Sequence, residues 1–393
     1  MKIKSKTAHG PRRASRTDIR SPALRRQTNP GSFGVCLFFS LKGISLPCRV
    51  RLSGGWSCCL YFVRVSRVGL MVAGLALLVA SAGAQDVSVR VSPDSKGLTA
   101  GSDEFPTIQM ALDHAPQPGP GGRLYVDIAP GIYHERVMVT QNRPRTTFLG
   151  TGRAPNDVVI TAAQNALSAG GTFFSATVEV NGDGFEADNV TFQNTAGNTG
   201  QAVALAVRSD RAVFKHCRFL GDQDTLFADY GRQFYLDSYV EGGVDFIFGD
   251  AAAVFEDDEI HVTRPGYVTA QSRTSPHQQT GFVFLRAHLT AELNANQGFY
   301  LGRPWRRFAR VVFLSSSLPA SLDANGWAPW AKAGMIGPAY YAEFESTGAG
   351  ARPTGRISGS QQLGAEQAAG FMPGVFLAGK DRWNAVEAAG RLP

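Results

Sequence analysis

Cysteine is scarce where it could staple a fold. Four of the five Cys (Cys36, Cys48, Cys58, Cys59) lie in the first 60 residues, and Cys217 alone lies in the rest. One cysteine cannot close an internal disulfide, so the body is not a disulfide framework. Cys217 reads as a small buried hydrophobe. No Cys/His cluster has zinc-ligand spacing, and the seven His are scattered. There is no P-loop. There is no G-x-S-x-G nucleophile elbow either. Ala166-Leu167-Ser168-Ala169-Gly170 lacks the first Gly, so the common serine-esterase route has no motif support. Heptad and 3.6-residue periodicity are weak from Val87 onward, which argues against a helix bundle.

Acidic residues are nearly missing from one end. Residues 1–84 hold 14 Lys and Arg against a single acid, Asp18. The remainder holds 25 basic and 31 acidic residues. The formal net charge of +7 therefore belongs to the N-terminal extension, and the body is slightly acidic. A nucleic-acid footprint needs basic charge on the folded domain, so no nucleic-acid partner is expected. Residues 63–84 read as a secretory signal. Arg64 and Arg67 form its charged start, Gly69 to Ala80 its apolar run, and Ala82-Gly83-Ala84 a small-residue cleavage site before Gln85. The run is shorter than the ~20 residues of a membrane span, and no Cys follows it to carry a lipid. Residues 1–62 are rich in Arg, Ser and Pro. They are expected to be disordered or to lie upstream of a true start near Val63–Met71, a transit peptide being the alternative. Residues 85–393 show no composition break and read as one domain.

A core is well provided for. Hydrophobic residues make up 44% of the chain, and 25 are Phe. Gly, at 44 of 393 residues, exceeds the usual ~7% and suits a turn-rich β protein. Short apolar runs alternate with Gly, Asn and Asp turns. Several runs resemble one another: Asn189-Val190-Thr191-Phe192, His216-Cys217-Arg218-Phe219, Asp237-Ser238-Tyr239-Val240, Asp258-Glu259-Ile260-His261 and Arg286-Ala287-His288-Leu289. Their last residues are 27, 21, 21 and 28 apart. A recurrence of that length built from strands predicts an all-β solenoid, a parallel β-helix whose coils stack ~4.8 Å apart. The alternative is a β-sandwich with irregular loops. Residues 105–115 carry a helical pattern with Ile108, Leu112 and Ala115 on one face and Pro106 in the first turn. Such a helix would cap the open end of the solenoid. The Gly-rich 350–393 segment is expected to lie along the outside.

The period has a chemical consequence. Asp224 and Asp245 are 21 residues apart, and Gln201 and Gln223 are 22 apart. Each pair matches one coil. Two carboxylates stacked about 5 Å apart cannot both ionise freely, so one pKa rises. One acid/base and one nucleophile is the arrangement this favours. Structural stacking of polar residues in a solenoid gives the same spacing, and the spacing alone does not choose.

The ordered motifs do. Gly131-Ile132-Tyr133-His134-Glu135, Gln201-Ala202-Val203-Ala204-Leu205, Gly221-Asp222-Gln223-Asp224-Thr225-Leu226, Asp245-Phe246-Ile247-Phe248-Gly249 and Leu301-Gly302-Arg303-Pro304-Trp305 follow one another along the chain. With 172–197 and 341–350, they make the sequence resemble pectin methylesterases over roughly 90–390. The resemblance implies a single right-handed parallel β-helix and hydrolysis of the methyl esters of polygalacturonate, giving pectate and methanol. It implies Asp245 as nucleophile, Asp224 as acid/base, Arg303 holding Asp245 ionised, and Gln201 and Gln223 as oxyanion donors. It places Trp305, Trp327 and Phe246 against the substrate, with Trp330 a weaker candidate and Tyr133 ordering the early coils. It implies no cofactor, no metal and a secreted monomer without a membrane anchor. Four other readings stay open. Close carboxylates also suit a β-helix glycosidase. A polyuronate lyase would need a calcium site, and alternation would splay the one dense acidic run, Asp257-Asp258-Glu259. An esterase on another acyl group, or a non-catalytic carbohydrate-binding solenoid, completes the set.

Overall fold

The computed structural model describes residues 85–96, 103–294, 296–330 and 336–393, together with the backbone of a short hairpin within residues 48–60. The chain divides into two units, residues 1–79 and 80–393. In the first, Cys48–Arg51 and Ser57–Leu60 pair antiparallel, Cys48 opposite Leu60. The expected secretory signal at 63–84 lies outside the described residues.

The second unit is a parallel β-helix. Each coil supplies strands to three faces. The first face is one twelve-stranded parallel sheet that includes Ala212–Lys215, Arg232–Leu236, Ala252–Glu256, Gly281–Leu285, Arg310–Leu314 and Tyr340–Phe344. The second and third faces form one further twelve-stranded sheet. They join because Tyr239–Gly249 and Glu259–Gln271 run unbroken from one face to the other. Inward residues of the first face stand in register, Phe214 beside Tyr235, then Phe255, Phe284 and Phe313. Their rings stack at 4.9, 4.5, 4.8 and 4.3 Å between centroids, close to the spacing between strands. This ladder takes up four of the 25 Phe.

The turn from the first face to the second has one recurring form. Asn189, His216, Asp237, Asp257, Arg286, Ser315 and Glu345 all have φ between 48° and 59°. A left-handed non-Gly residue is uncommon, so a column of seven marks a repeated corner. The residue after each turns inward and is small in most coils. Ser238 Oγ accepts from Cys217 N at 3.0 Å, Asp258 Oδ1 from Ser238 N at 2.7 Å, and Ser316 Oγ from Ala287 N at 3.2 Å. The register corrects the repeat in one place: Val240 pairs with Ile260, so the fourth run begins at Asp257 and its coil has 20 residues. The four adjacent acids Glu256 to Glu259 allow more than one alignment.

The capping helix runs Ile108–His114, with Ile108, Ala111 and Leu112 buried. Thr107 is its N-cap and accepts from Met110 N at 3.2 Å. Pro106 therefore precedes the cap instead of entering the first turn. Glu135 accepts from Ile108 N and Gln109 N at 2.9 and 3.0 Å, satisfying two donors that a helix start leaves free. Tyr133 is buried and donates to Ala129 O at 2.7 Å. At the other end of the chain, helices Ala365–Ala369, Pro373–Phe376 and Ala385–Gly390 cover the outer side of the first face. Leu377, Ala385, Ala388 and Leu392 pack there on Val213, Phe234, Val254, Val283 and Val312.

Candidate active site

The turn from the second face to the third carries the candidate site. Strand Arg218–Leu220 ends, Gly221 to Thr225 turns the corner, and Leu226–Tyr230 starts the third face. One coil on, Tyr239–Gly249 crosses the same corner without a break. Leu226 pairs with Ile247, and Gln223 bridges both Gln201 and Val244. Asp224 and Asp245 are therefore in register on neighbouring coils, and Gln201 stands in register with Gln223. Asp224 N donates to Val244 O at 3.1 Å. Both aspartates are left-handed, with φ of 64° and 51°, and sparsely populated backbone of this kind clusters at functional sites. The corner is braced from beneath. Asp222 accepts from Arg264 Nε at 2.6 Å, and Thr225 Oγ1 donates to Glu241 O at 3.0 Å.

Arg303 reaches this corner from the end of Tyr300–Gly302. Its Nε donates to Asp245 Oδ1 at 2.9 Å and its Nη2 to Oδ2 at 2.6 Å. That is the two-point geometry a guanidinium makes best with a carboxylate. Gly302 is required by contact, since a Cβ there would run into Thr269 Oγ1.

Both aspartates are buried, 8% exposed for Asp224 and 6% for Asp245. Burial raises the Asp224 carboxyl first, the Asp245 charge raises it further, and Arg303 opposes both; the result is about 8. Burial also raises Asp245, against the hydrogen bonds and charge of Arg303. Burial and the neighbouring charge thus favour the protonated form of Asp224, while Arg303 supports the charged form of Asp245. The side-chain amides of Gln201 and Gln223 line the same cleft. Neither makes a hydrogen bond to another described side chain, which leaves their N–H donors free for a ligand.

The cleft lies on the outer side of the third face, with a volume of about 220 Å³ around the two aspartates. Its floor is apolar: Ala176, Val203, Ala206, Phe227, Phe248 and Ala270, with Trp305 against them. Phe173 stacks on Phe227 at 5.0 Å and Phe227 on Phe248 at 4.5 Å, and the Trp305 ring follows at 6.0 Å. Flat rings in a row fit the apolar faces of sugar rings. Trp330, 43% exposed, closes one side.

Five of the sequence-predicted residues, Gln201, Gln223, Asp224, Asp245 and Arg303, are brought together here, with Trp305 beside them. Two are not. Trp327 is fully buried, bridged to Gly302 and stacked on Tyr341 at 4.2 Å. Facing inward, it is a core residue, and Trp330 three positions on reaches the cleft. Phe246 is also fully buried. The left-handed Asp245 turns it inward, where it fills the space that the missing side chain of Gly242 leaves. Phe248 takes the outward place. Phe227 and Phe248 escaped the sequence reading although they are 21 apart, the same spacing that singled out the aspartates. Among the described residues, no group of three or more His, Cys, Asp or Glu is placed to hold a metal ion.

A pectinesterase family profile matches residues 97–380. The chain belongs to the pectinesterase family. It is 40% identical over 306 residues to a carrot (Daucus carota) pectinesterase, covering 74% of this chain and 95% of that one. To pectinesterase 1 of Citrus sinensis it is 39% identical over 306 residues, which is 74% of this chain but 52% of the Citrus protein. The chain thus spans about half the length of that relative. Among solved structures it superposes on carrot pectin methylesterase with a TM-score of 0.69 at 37% identity, covering 77% of this chain and 95% of the other. Pectin methylesterase PemA of Erwinia chrysanthemi gives a TM-score of 0.62 at 27% identity, covering 76% and 98%. This pectinesterase-family chain is a carboxylic ester hydrolase with the parallel β-helix of its relatives.

Proposed function

We propose that this enzyme hydrolyses the methyl esters of homogalacturonan with Asp245 as nucleophile and Asp224 as acid/base. The ester carbonyl sits over Asp245, whose carboxylate Arg303 holds ionised and aimed. Attack forms a tetrahedral adduct, and its oxyanion accepts from the amides of Gln201 and Gln223. Asp224, protonated at neutral pH, gives its proton to the departing methanol. An acyl-enzyme on Asp245 remains. The Asp224 carboxylate then takes a proton from water, the hydroxide opens the acyl-enzyme, and pectate leaves with both aspartates restored. The sugar chain lies along the aromatic floor from Phe173 to Trp305.

The observation that carries this reading is the asymmetry of the pair: one aspartate gripped at two points by Arg303, the other in register one coil away and buried without such a partner. Methanol, new reducing ends and unsaturated uronide, followed together on highly methylated pectin with EDTA present, test it. Methanol alone, abolished by Asp245→Asn, is the expected result. Reducing ends or unsaturated product without methanol would instead assign a glycosidase or a lyase.

Residues 85–393 are the catalytic unit in this reading, and 63–84 direct it out of the cell toward cell-wall pectin. A protein recovered from the medium should begin at Gln85. It should run as a monomer in size-exclusion chromatography.

A further inference from the structure

Arg303 is held by more than its carboxylate. The centroid of the Tyr267 ring lies 4.0 Å from its Cζ and that of Trp330 lies 4.4 Å away. Two rings so near one carbon cannot share one side of a planar group whose edge is already taken by Asp245, so the guanidinium lies between them. Tyr267 is fixed by the sheet. It pairs with Val244 on one coil and Tyr300 on the next, and its ring stacks on that of Tyr300 at 5.6 Å. Trp330 belongs to no strand and is 43% exposed. A tryptophan left half in water beside a sugar cleft would ordinarily be read as a sugar platform. Its position over the arginine gives it different work.

We propose that Trp330 is a positioning residue for the esterase reaction. It covers the guanidinium face that Tyr267 leaves open and so keeps Arg303 in its two-point grip on Asp245. This rests on the reading of Asp245 as nucleophile. The physical reason is twofold. An arginine side chain has ample rotamer freedom, and a stacked ring removes it where one carboxylate at the far end does not. The ring also keeps water from the guanidinium–carboxylate hydrogen bonds, and charge interactions strengthen as the local dielectric falls. Without Trp330 the guanidinium swings, Asp245 loses part of its cationic support, and its pKa rises further. Trp330 thus sets how far down in pH the nucleophile stays ionised.

The test is a double-mutant cycle on Trp330 and Arg303, with kcat and KM for methanol release measured over about pH 4 to 10. Trp330→Leu should lower kcat about tenfold, with KM changed by less than about twofold. The acidic limb of its pH profile should move to higher pH, in the direction Arg303→Lys moves it. Trp330→Phe, which keeps a ring, should recover most of the loss. In the Arg303→Lys background Trp330→Leu should cost less than about twofold, because the group it positions is gone. A raised KM with unchanged kcat and an unmoved acidic limb would make Trp330 a sugar platform and overturn the proposal. So would a full tenfold loss retained in the Arg303→Lys background. Asp245→Asn run alongside keeps the two ideas apart: methanol release surviving in it removes the nucleophile reading itself, whatever Trp330 does. Unchanged circular dichroism of Trp330→Phe and Trp330→Leu shows that the fold is intact in both.

Discussion

The two corners of the coil follow different rules. From first face to second, every coil from Asn189 to Glu345 turns on one left-handed residue. From second face to third, the connection varies. It runs as a loop between Asn194 and Leu205, shortens to five residues between Leu220 and Leu226, and vanishes within Tyr239–Gly249 and Glu259–Gln271. The uniform corner fixes the register of the stack. Because it does, the variable corner can change length and still present side chains from successive coils at matched heights. Buried acids occur at both. Asp258 at the uniform corner is fully buried and holds Ser238 N. Asp224 and Asp245 at the variable corner open onto a cleft. Burial alone therefore does not set the two corners apart; access to a cleft and, for Asp245, an arginine partner do.

The largest break in this comparison is expected at Asp245. Asp245→Asn should lower kcat about 10⁴-fold or more, as loss of a nucleophile does, while the melting temperature stays close to wild type. Next comes Gln223→Ala, at about 10²–10³ in kcat with little change in KM, the usual cost of one oxyanion donor. Gln201→Ala should fall in the same range. A loss smaller than about threefold in both would remove the amides from the oxyanion site. The pH profile sharpens the roles of the two acids. Activity should fall on the alkaline side as Asp224 loses its proton near its value of about 8. An alkaline limb far above that would mean that Asp224 is not the proton donor.

Legibility of the sequence divides along the same line. The uniform corner showed itself as a recurrence, because one conformation repeated at each coil demands similar residues. The aspartate and glutamine pairs were legible for the same reason, being one period apart. What the repeat could not give was side-chain direction at the variable corner. Phe246 follows a left-handed residue and points inward, so alternation misassigns it. Trp327 and Trp330 differ by three positions in an irregular segment with no periodicity to separate the buried ring from the exposed one. Arg303 is 58 residues from Asp245 in sequence and was tied to it by the motif resemblance, not by spacing.

Trp305 and Trp327 turn that correction into a measurement. Trp305→Ala should raise KM about tenfold and leave stability nearly unchanged, since the ring forms part of the cleft floor. Trp327→Ala should cost about 3–5 kcal/mol of stability, the range for emptying a large aromatic site in a core. The protein that remains folded should keep the wild-type KM. The reverse assignment would put Trp327 at the sugar and Trp305 in the core.

The smallest effect is expected at the uniform corner, and it carries a sign. Burial raises the Asp258 carboxyl well above its ordinary value, and the nearby charges of Asp237, Asp257 and Glu256 add to this. One oxygen accepts from Ser238 N, and the other has no hydrogen-bond partner among the described residues. The folded protein therefore keeps a proton that the unfolded chain releases near pH ~4. Stability that Asp258 contributes is fully present below that pH and is lost as pH rises toward the folded value. Asp258→Asn keeps the acceptor for Ser238 and cannot ionise. Its melting temperature should match wild type near pH ~4 and exceed it by a few degrees at neutral pH. Turnover should stay within about twofold of wild type at both. A melting difference that does not change with pH would remove ionisation as its cause. Lost turnover in a folded variant would show that the two corners are not independent, because a change at the register corner would then have moved the cleft.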